Sequence, residues 1–254
     1  MLLFYKQYSD SGAPLLILHG LFGHQGNWAG PARELADEFS VYGLDARNHG
    51  SSEHTKLMTY SDMAEDVRET MDELGIEQAD FIGHSMGGKT AMQFALNWPD
   101  RVKRLLVVDI APVAYKGGPD PVLNALLKLD LAAISSRQEA DTLLEADIPE
   151  KAIRDFLLTN LRRDGNGFRW RMNLMAIDKC YSDLRGALDG DSPFPGPTLF
   201  IKGELSGYLQ PAYKEQTIRL FPQAQIKTVS GAGHWVHSEK PQQFIKLARR
   251  FLLD

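Results

Sequence analysis

Residues 79–97 read ADFIGHSMGGKTAMQFALN, and within them Gly83-His84-Ser85-Met86-Gly87 fits the pattern G-x-S-x-G, with a further Gly88 behind it. Ala79 to Ile82 is a short apolar run of strand type, and Met86 to Asn97 has helical spacing. A serine pinched between a buried strand and a helix sits on a sharp turn that lifts its hydroxyl above the end of the sheet. The glycines around Ser85 remove side chains that would collide in so tight a turn. The helix that begins at Met86 points its unpaired N–H groups at any negative charge that develops near the hydroxyl. Ser85 is therefore the candidate nucleophile.

Outward from this turn, short apolar runs alternate with helical patterns, as in a parallel sheet covered on both faces. Strands are expected at Leu2–Tyr8, Leu15–Leu18, Val41–Leu44 and Leu105–Val108, and again at Thr198–Ile201 and Gln225–Val229. Helices are expected at Trp28–Phe39, Thr59–Leu74, Pro211–Phe221 and Pro241–Leu253. Met63, Val67, Met71 and Leu74 share one helix face, and Gly75 follows where a helix stops. The helix from Met86 ends before Trp98–Pro99, because a residue preceding proline leaves the helical region.

The alternation breaks between residues 113 and 190. Helical segments are expected around Pro121–Leu131, Arg137–Glu145, Glu150–Leu161 and Leu174–Leu188, with no strand-then-helix unit among them. Asp164-Gly165-Asn166-Gly167 is a strong turn signal. This organisation divides the chain into a core, 1–112 with 191–254, and a helical insertion at 113–190.

A hydroxyl nucleophile needs a base. His234 follows the last expected strand, in the flexible loop Ser230-Gly231-Ala232-Gly233-His234-Trp235, and is the first choice among seven histidines. His237 is held in reserve and is expected to be exposed at a helix entry. His84 lies in the turn itself and is expected to point elsewhere; His19 is expected to be structural, and His49 to pack near the site. An acid must orient the base. Asp109 closes an apolar strand at the sheet end where ligands bind, and Glu204 is its competitor. His19-Gly20-Leu21-Phe22-Gly23 stands where an oxyanion loop belongs, so the N–H groups of Leu21 (or Phe22) and of Met86 are the expected donors.

Taken together, His19–Gly23, Asp45-Ala46-Arg47-Asn48-His49-Gly50-Ser51-Ser52, Gly83–Gly88, Val108–Pro112 and Gly231–Trp235 resemble the α/β-hydrolases, most of all the bacterial YbfF-type esterases, over nearly the whole chain. The resemblance implies an α/β-hydrolase fold, a mostly parallel sheet flanked by helices with a helical cap insertion. It implies hydrolysis of carboxylic esters or acyl thioesters, acyl-CoA included, with Asp109 completing a triad with Ser85 and His234. The wider family often carries its acid in a G-x-x-D pattern after the strand that follows the insertion. Here that stretch is Gly203-Glu204-Leu205-Ser206, with serine at the acid's place. Phe22, Trp170 and Trp235 are expected to contact substrate, and Leu123, Leu126, Leu127, Phe156, Leu157 and Met172 either to wall the pocket or to form the insertion's own core. Arg162, Arg163, Arg169 and Arg171 flank the turn and read as a solvated hairpin, or as contacts for an anionic substrate group.

Composition narrows the setting. Of 254 residues 43% are hydrophobic and 24% charged, as in a soluble globular protein, and the net charge of −5 gives no basic excess for nucleic acid. No apolar run approaches the ~18 residues that span a bilayer. The first eight residues are too polar for a signal peptide, and the single Cys180 permits no internal disulfide, so a cytoplasmic protein is expected. No metal-ligand or phosphate-cradling motif is present, and no cofactor is expected. The expected partner is a small ester or thioester.

Overall fold

The computed structural model describes residues 1–118, 120–190 and 192–254. Pro119 and Asp191 lie outside the described residues, and Asp191 is the expected return point from insertion to core. Five strands come first: β1 (Tyr5–Gln7), β2 (Ala13–Leu18), β3 (Phe39–Leu44), β4 (Ala79–His84) and β5 (Val102–Val108), with helices α1 (Ala29–Leu35), α2 (Tyr60–Glu73) and α3 (Met86–Asn97) between them. Then follow α4 (Pro121–Lys128), α5 (Arg137–Leu144), α6 (Lys151–Leu158), β6 (Leu161–Asp164), β7 (Gly167–Trp170), α7 (Leu174–Lys179) and α8 (Tyr181–Arg185). The chain returns through β8 (Thr198–Gly203), α9 (Lys214–Leu220), β9 (Ala224–Val229), α10 (Val236–Glu239) and α11 (Pro241–Leu253).

Seven strands form one sheet in the order β1-β3-β2-β4-β5-β8-β9. All neighbours are parallel except β1, which runs antiparallel to β3 at the edge. Side chains alternate across the sheet with period two, so both faces are dry. Leu16, Leu18, Phe81, Leu105 and Val107 pack with Val67, Met71 and Phe94 from α2 and α3. Leu15, Ile17, Ile82, Leu106 and Val108 pack on the other face with Ala32, Leu35, Phe244 and Ala248 from α1 and α11. The expected boundaries of α2 rest on its caps: Thr59 and Asp62 form a reciprocal capping box, and Gly75 takes the left-handed φ of 65° just past the end.

Four differences from the sequence reading stand out. The first strand is shorter than 2–8, because Leu3 N–H donates to Thr70 Oγ1 (3.0 Å) and Phe4 N–H to Ser52 Oγ (2.8 Å) instead of joining the ladder. The helix expected over 28–39 ends at Leu35, and Phe39, fully within the sheet's dry face, opens β3 opposite Ala13. The segment between β5 and β8 is not purely helical: β6 and β7 form an antiparallel hairpin about the turn at Gly165, whose φ is 57°. The turn was legible in sequence, but LRRD and GFRW are too short and too polar to show strand periodicity. The helix expected over 174–188 also breaks, at Cys180.

The elements between β5 and β8 build a third cluster, with Leu123, Leu126, Leu157, Leu161, Met172 and Ile177, and this cluster includes Phe22, Tyr60, Met63 and Met86 from the sheet domain. It lies against the turn that carries Ser85. Among the described residues no helix is long and apolar enough to cross a membrane.

Candidate active site

The C-terminal ends of β4, β5, β8 and β9 are neighbours in the sheet, and each delivers one part of the site. Ser85 leaves β4 with φ 52° and ψ −119°, and its N–H donates to Val108 O at 3.0 Å. This conformation is strained for a non-glycine residue and costs of order 1–3 kcal/mol. It survives because its surroundings leave no alternative. A Cβ on Gly83 would sit 2.4 Å from Gly87 O, and one on Gly87 would sit 2.4 Å from the carbonyl oxygens of both Leu18 and His19. Ser85 shares positive φ with Phe22, Asn48 and Asp109, and all four are in loops leaving the C-terminal edge of the sheet.

Asp109, at the end of β5, is completely buried. Its Oδ1 accepts from Gly203 N–H (3.0 Å), and its Oδ2 accepts from His234 Nδ1 (2.7 Å) and from the hydroxyl of Ser206. Burying a carboxylate is costly unless its oxygens accept such hydrogen bonds. The competing Glu204 is exposed and accepts from Gly231 N–H at 2.8 Å, so it braces the start of the histidine loop and does not reach the ring. Ser206, at the last position of the Gly203–Ser206 stretch, donates its hydroxyl to the Asp109 carboxylate at the end of the neighbouring strand.

The loop bearing His234 is pinned from several sides. His84 Nε2 donates to His234 O (3.0 Å), while burial holds the His84 ring well below the usual histidine pKa and hence neutral. Tyr208 stacks on the His234 ring, centroids 4.2 Å apart. A Cβ on Gly203 would lie 1.9 Å from Gly233 O, so the end of β8 presses directly on this loop.

Two more neutral histidines hold the loop at residues 19–23. His19 Nδ1 donates to Gly20 O and its Nε2 accepts from Ala46 N–H; His49 Nδ1 donates to Arg47 O and its Nε2 accepts from Phe22 N–H (3.2 Å). Burial lowers their pKa values to about 4 and about 3. His237 departs from expectation: it is buried, stacked flat on Trp28 at 3.9 Å, and does not line the cavity. The Trp28 ring supplies an apolar shelf that nothing in the local sequence around residue 237 announces.

Ser85 and His234 open into one cavity of about 560 Å³. Leu21, Phe22, Met86 and Trp235 line it, as do Phe156 and Leu157 from α6. Trp170 does not; it lies half-buried on β7 against the cluster of the inserted segment. Leu123, Leu126, Leu127 and Met172 likewise belong to that cluster and not to the cavity wall. The four arginines flank the hairpin outside the cavity; Arg162, Arg163 and Arg169 are exposed, and Arg171 is half-buried beside His24. Sequence reasoning passed over Tyr60, Lys89, Tyr115 and Tyr208 in the lining, since each reads locally as an ordinary helix or loop residue. Among the described residues no group of three or more His, Cys, Asp or Glu side chains converges as metal ligands would.

Comparison with known proteins gives the same picture at the level of the whole chain. The model of the alpha/beta hydrolase fold family matches residues 13–241. The mouse (Mus musculus) protein named sn-1-specific diacylglycerol lipase ABHD11 is 40% identical, over 96% of this chain and 82% of its own length. Esterase YbfF of Escherichia coli (strain K12) is 35% identical, over 98% of this chain and 96% of its own. A solved structure described as a marine microorganism esterase superposes with a TM-score of 0.96 at 40% identity, covering 99% of both chains. The seven-stranded sheet, the strained serine turn and these likenesses together show that the chain belongs to the α/β hydrolase fold family, within its esterase branch.

Proposed function

We propose that this enzyme cleaves carboxylic esters, and acyl thioesters by the same route, through an acyl-enzyme on Ser85. The observation that carries the reading is the 2.7 Å contact between His234 Nδ1 and the buried Asp109, with His234 and Ser85 facing one cavity. Asp109 fixes the ring so that Nε2 is the free nitrogen, and it stabilises the imidazolium that forms. His234 takes the hydroxyl proton as Ser85 Oγ attacks the acyl carbon. The alcohol or thiol then leaves with that proton, and water repeats the attack on the acyl-enzyme.

The Leu21 and Met86 N–H groups hold the tetrahedral oxyanion. Phe22 is the weaker candidate, because its N–H already donates to His49. The elements between β5 and β8 act as a cap that closes over the acyl group, with Phe156 and Leu157 as its contribution to the wall. The lone, buried Cys180, which permits no internal disulfide, is compatible with a reducing compartment such as the cytoplasm.

The test is turnover of a p-nitrophenyl ester series from acetate to palmitate, beside acyl-CoA thioesters, by wild type and Ser85→Ala. Loss of turnover in Ser85→Ala on every substrate is expected. Equal rates in the two proteins would remove Ser85 from the reaction.

A further inference from the structure

The cavity carries charge that ester cleavage as such does not use. Lys89 sits one helical turn beyond Ser85 on α3 and is only 1% exposed. Its Nζ donates to Val113 O (2.7 Å) and to Gly186 O, with the rings of Tyr60 and Tyr115 5.2 and 4.9 Å away. Among the described residues no carboxylate pairs with it. An ammonium so placed ordinarily has an anionic partner, because burying an uncompensated charge is costly.

Two further cations line the same cavity. Arg185 is half-buried, gives Nη1 to Gly118 O, and has a buried Nε with no hydrogen-bond partner among the described residues. Lys116 is exposed. Against these three basic side chains the lining holds, among the described residues, one carboxylate, Asp120, whose oxygens are taken by Leu123 N–H and the Tyr181 hydroxyl. The lining thus carries an excess of basic side chains in a chain whose net charge is −5. The buried position of Lys89, on the nucleophile's own helix, suits the acyl group, which stays on Ser85 while the alcohol departs to solvent.

We propose that Lys89 and Arg185 form an anion subsite that takes a terminal carboxylate on the acyl chain, making half-esters of dicarboxylic acids preferred substrates. This rests on the acyl-enzyme reading above and adds the substrate class. Burial lowers the Lys89 pKa to about 7, which leaves the amine ready to gain charge when an anion arrives.

The experiment compares kcat/KM for mono(4-nitrophenyl) succinate, glutarate and adipate with the alkyl esters of matching length. Wild type, Lys89→Met and Arg185→Gln are run together. The wild type is expected to favour one carboxylate ester over its alkyl counterpart. That ratio is expected to fall about 10-fold or more in Lys89→Met and less in Arg185→Gln. A wild-type preference for every alkyl ester would overturn the subsite, as would equal losses on both ester types in the two variants, which mark a purely structural clasp. Glutarate and pentanoate binding to Ser85→Ala, read by thermal shift, keeps the two readings separate. Greater stabilisation by glutarate supports the subsite even where no ester is turned over, and equal or weaker stabilisation overturns it.

Discussion

Ser85, His234 and Asp109 lie 24 and 125 positions apart along the chain from Asp109, yet two of the three are in direct contact and all meet at one sheet edge. Asp109→Asn preserves shape while removing the charge that orients the ring, so kcat on p-nitrophenyl butyrate is expected to fall about 10²- to 10⁴-fold. Glu204→Gln, which alters only a brace on Gly231, is expected to stay within about 3-fold. The reverse order would reassign the acid. Ser206 shows what sequence could and could not give at this scale. The missing aspartate after β8 was visible, and so was an unpaired-looking Asp109 at the end of an apolar strand. That the serine hydroxyl donates to that same carboxylate depends on β5 and β8 being neighbours, which no spacing along the chain states.

At the scale of elements, close approach of backbones decides which glycines matter. Gly203→Ala drives a methyl group into Gly233 O, and Gly87→Ala drives one into the end of β2. Each is expected to destabilise by about 2 kcal/mol or more, read from urea unfolding followed by circular dichroism. Gly165→Asn is the contrast: nothing lies within 4 Å of a Cβ there, and asparagine accepts the left-handed conformation, so a change within about 0.5 kcal/mol is expected. If Gly165→Asn proved as damaging as Gly203→Ala, steric crowding would not be what selects these glycines. Helices α2, α3 and α11 were legible almost to the residue, because each joins a clear apolar face to a recognisable start and stop. The β6–β7 hairpin was not, because its strands are stabilised by packing on the inserted segment and carry no alternating pattern of their own.

For the molecule as a whole, buried neutral histidines set the response to acid. The pKa values of His19, His49 and His237 are lowered by burial to about 4, 3 and 3. Between pH 6.5 and 4 the unfolded chain therefore binds protons that the folded chain does not, and stability falls as pH drops through that window. Above pH 6.5 these groups contribute no slope. The urea midpoint is expected to decrease from pH 7 to pH 5. His237→Phe, which keeps the stack on Trp28 and removes an Nδ1 with no hydrogen-bond partner among the described residues, is expected to flatten the decrease. An unchanged slope in that variant would show that His237 titrates normally in the fold.

The sequence by itself determined the alternation of strands and helices and the serine turn, because these are written in local periodicity and in residues at element ends. Only the tertiary structure decided that Trp170 stays out of the cavity, that His237 is buried against Trp28, and that Lys89 lines the cavity with no carboxylate partner among the described residues. The physical reason is common to all three. A cavity wall or a burial partner is assembled from elements remote in sequence, and a side chain's surroundings follow from the sheet order and the packing of the inserted segment, not from its neighbours along the chain.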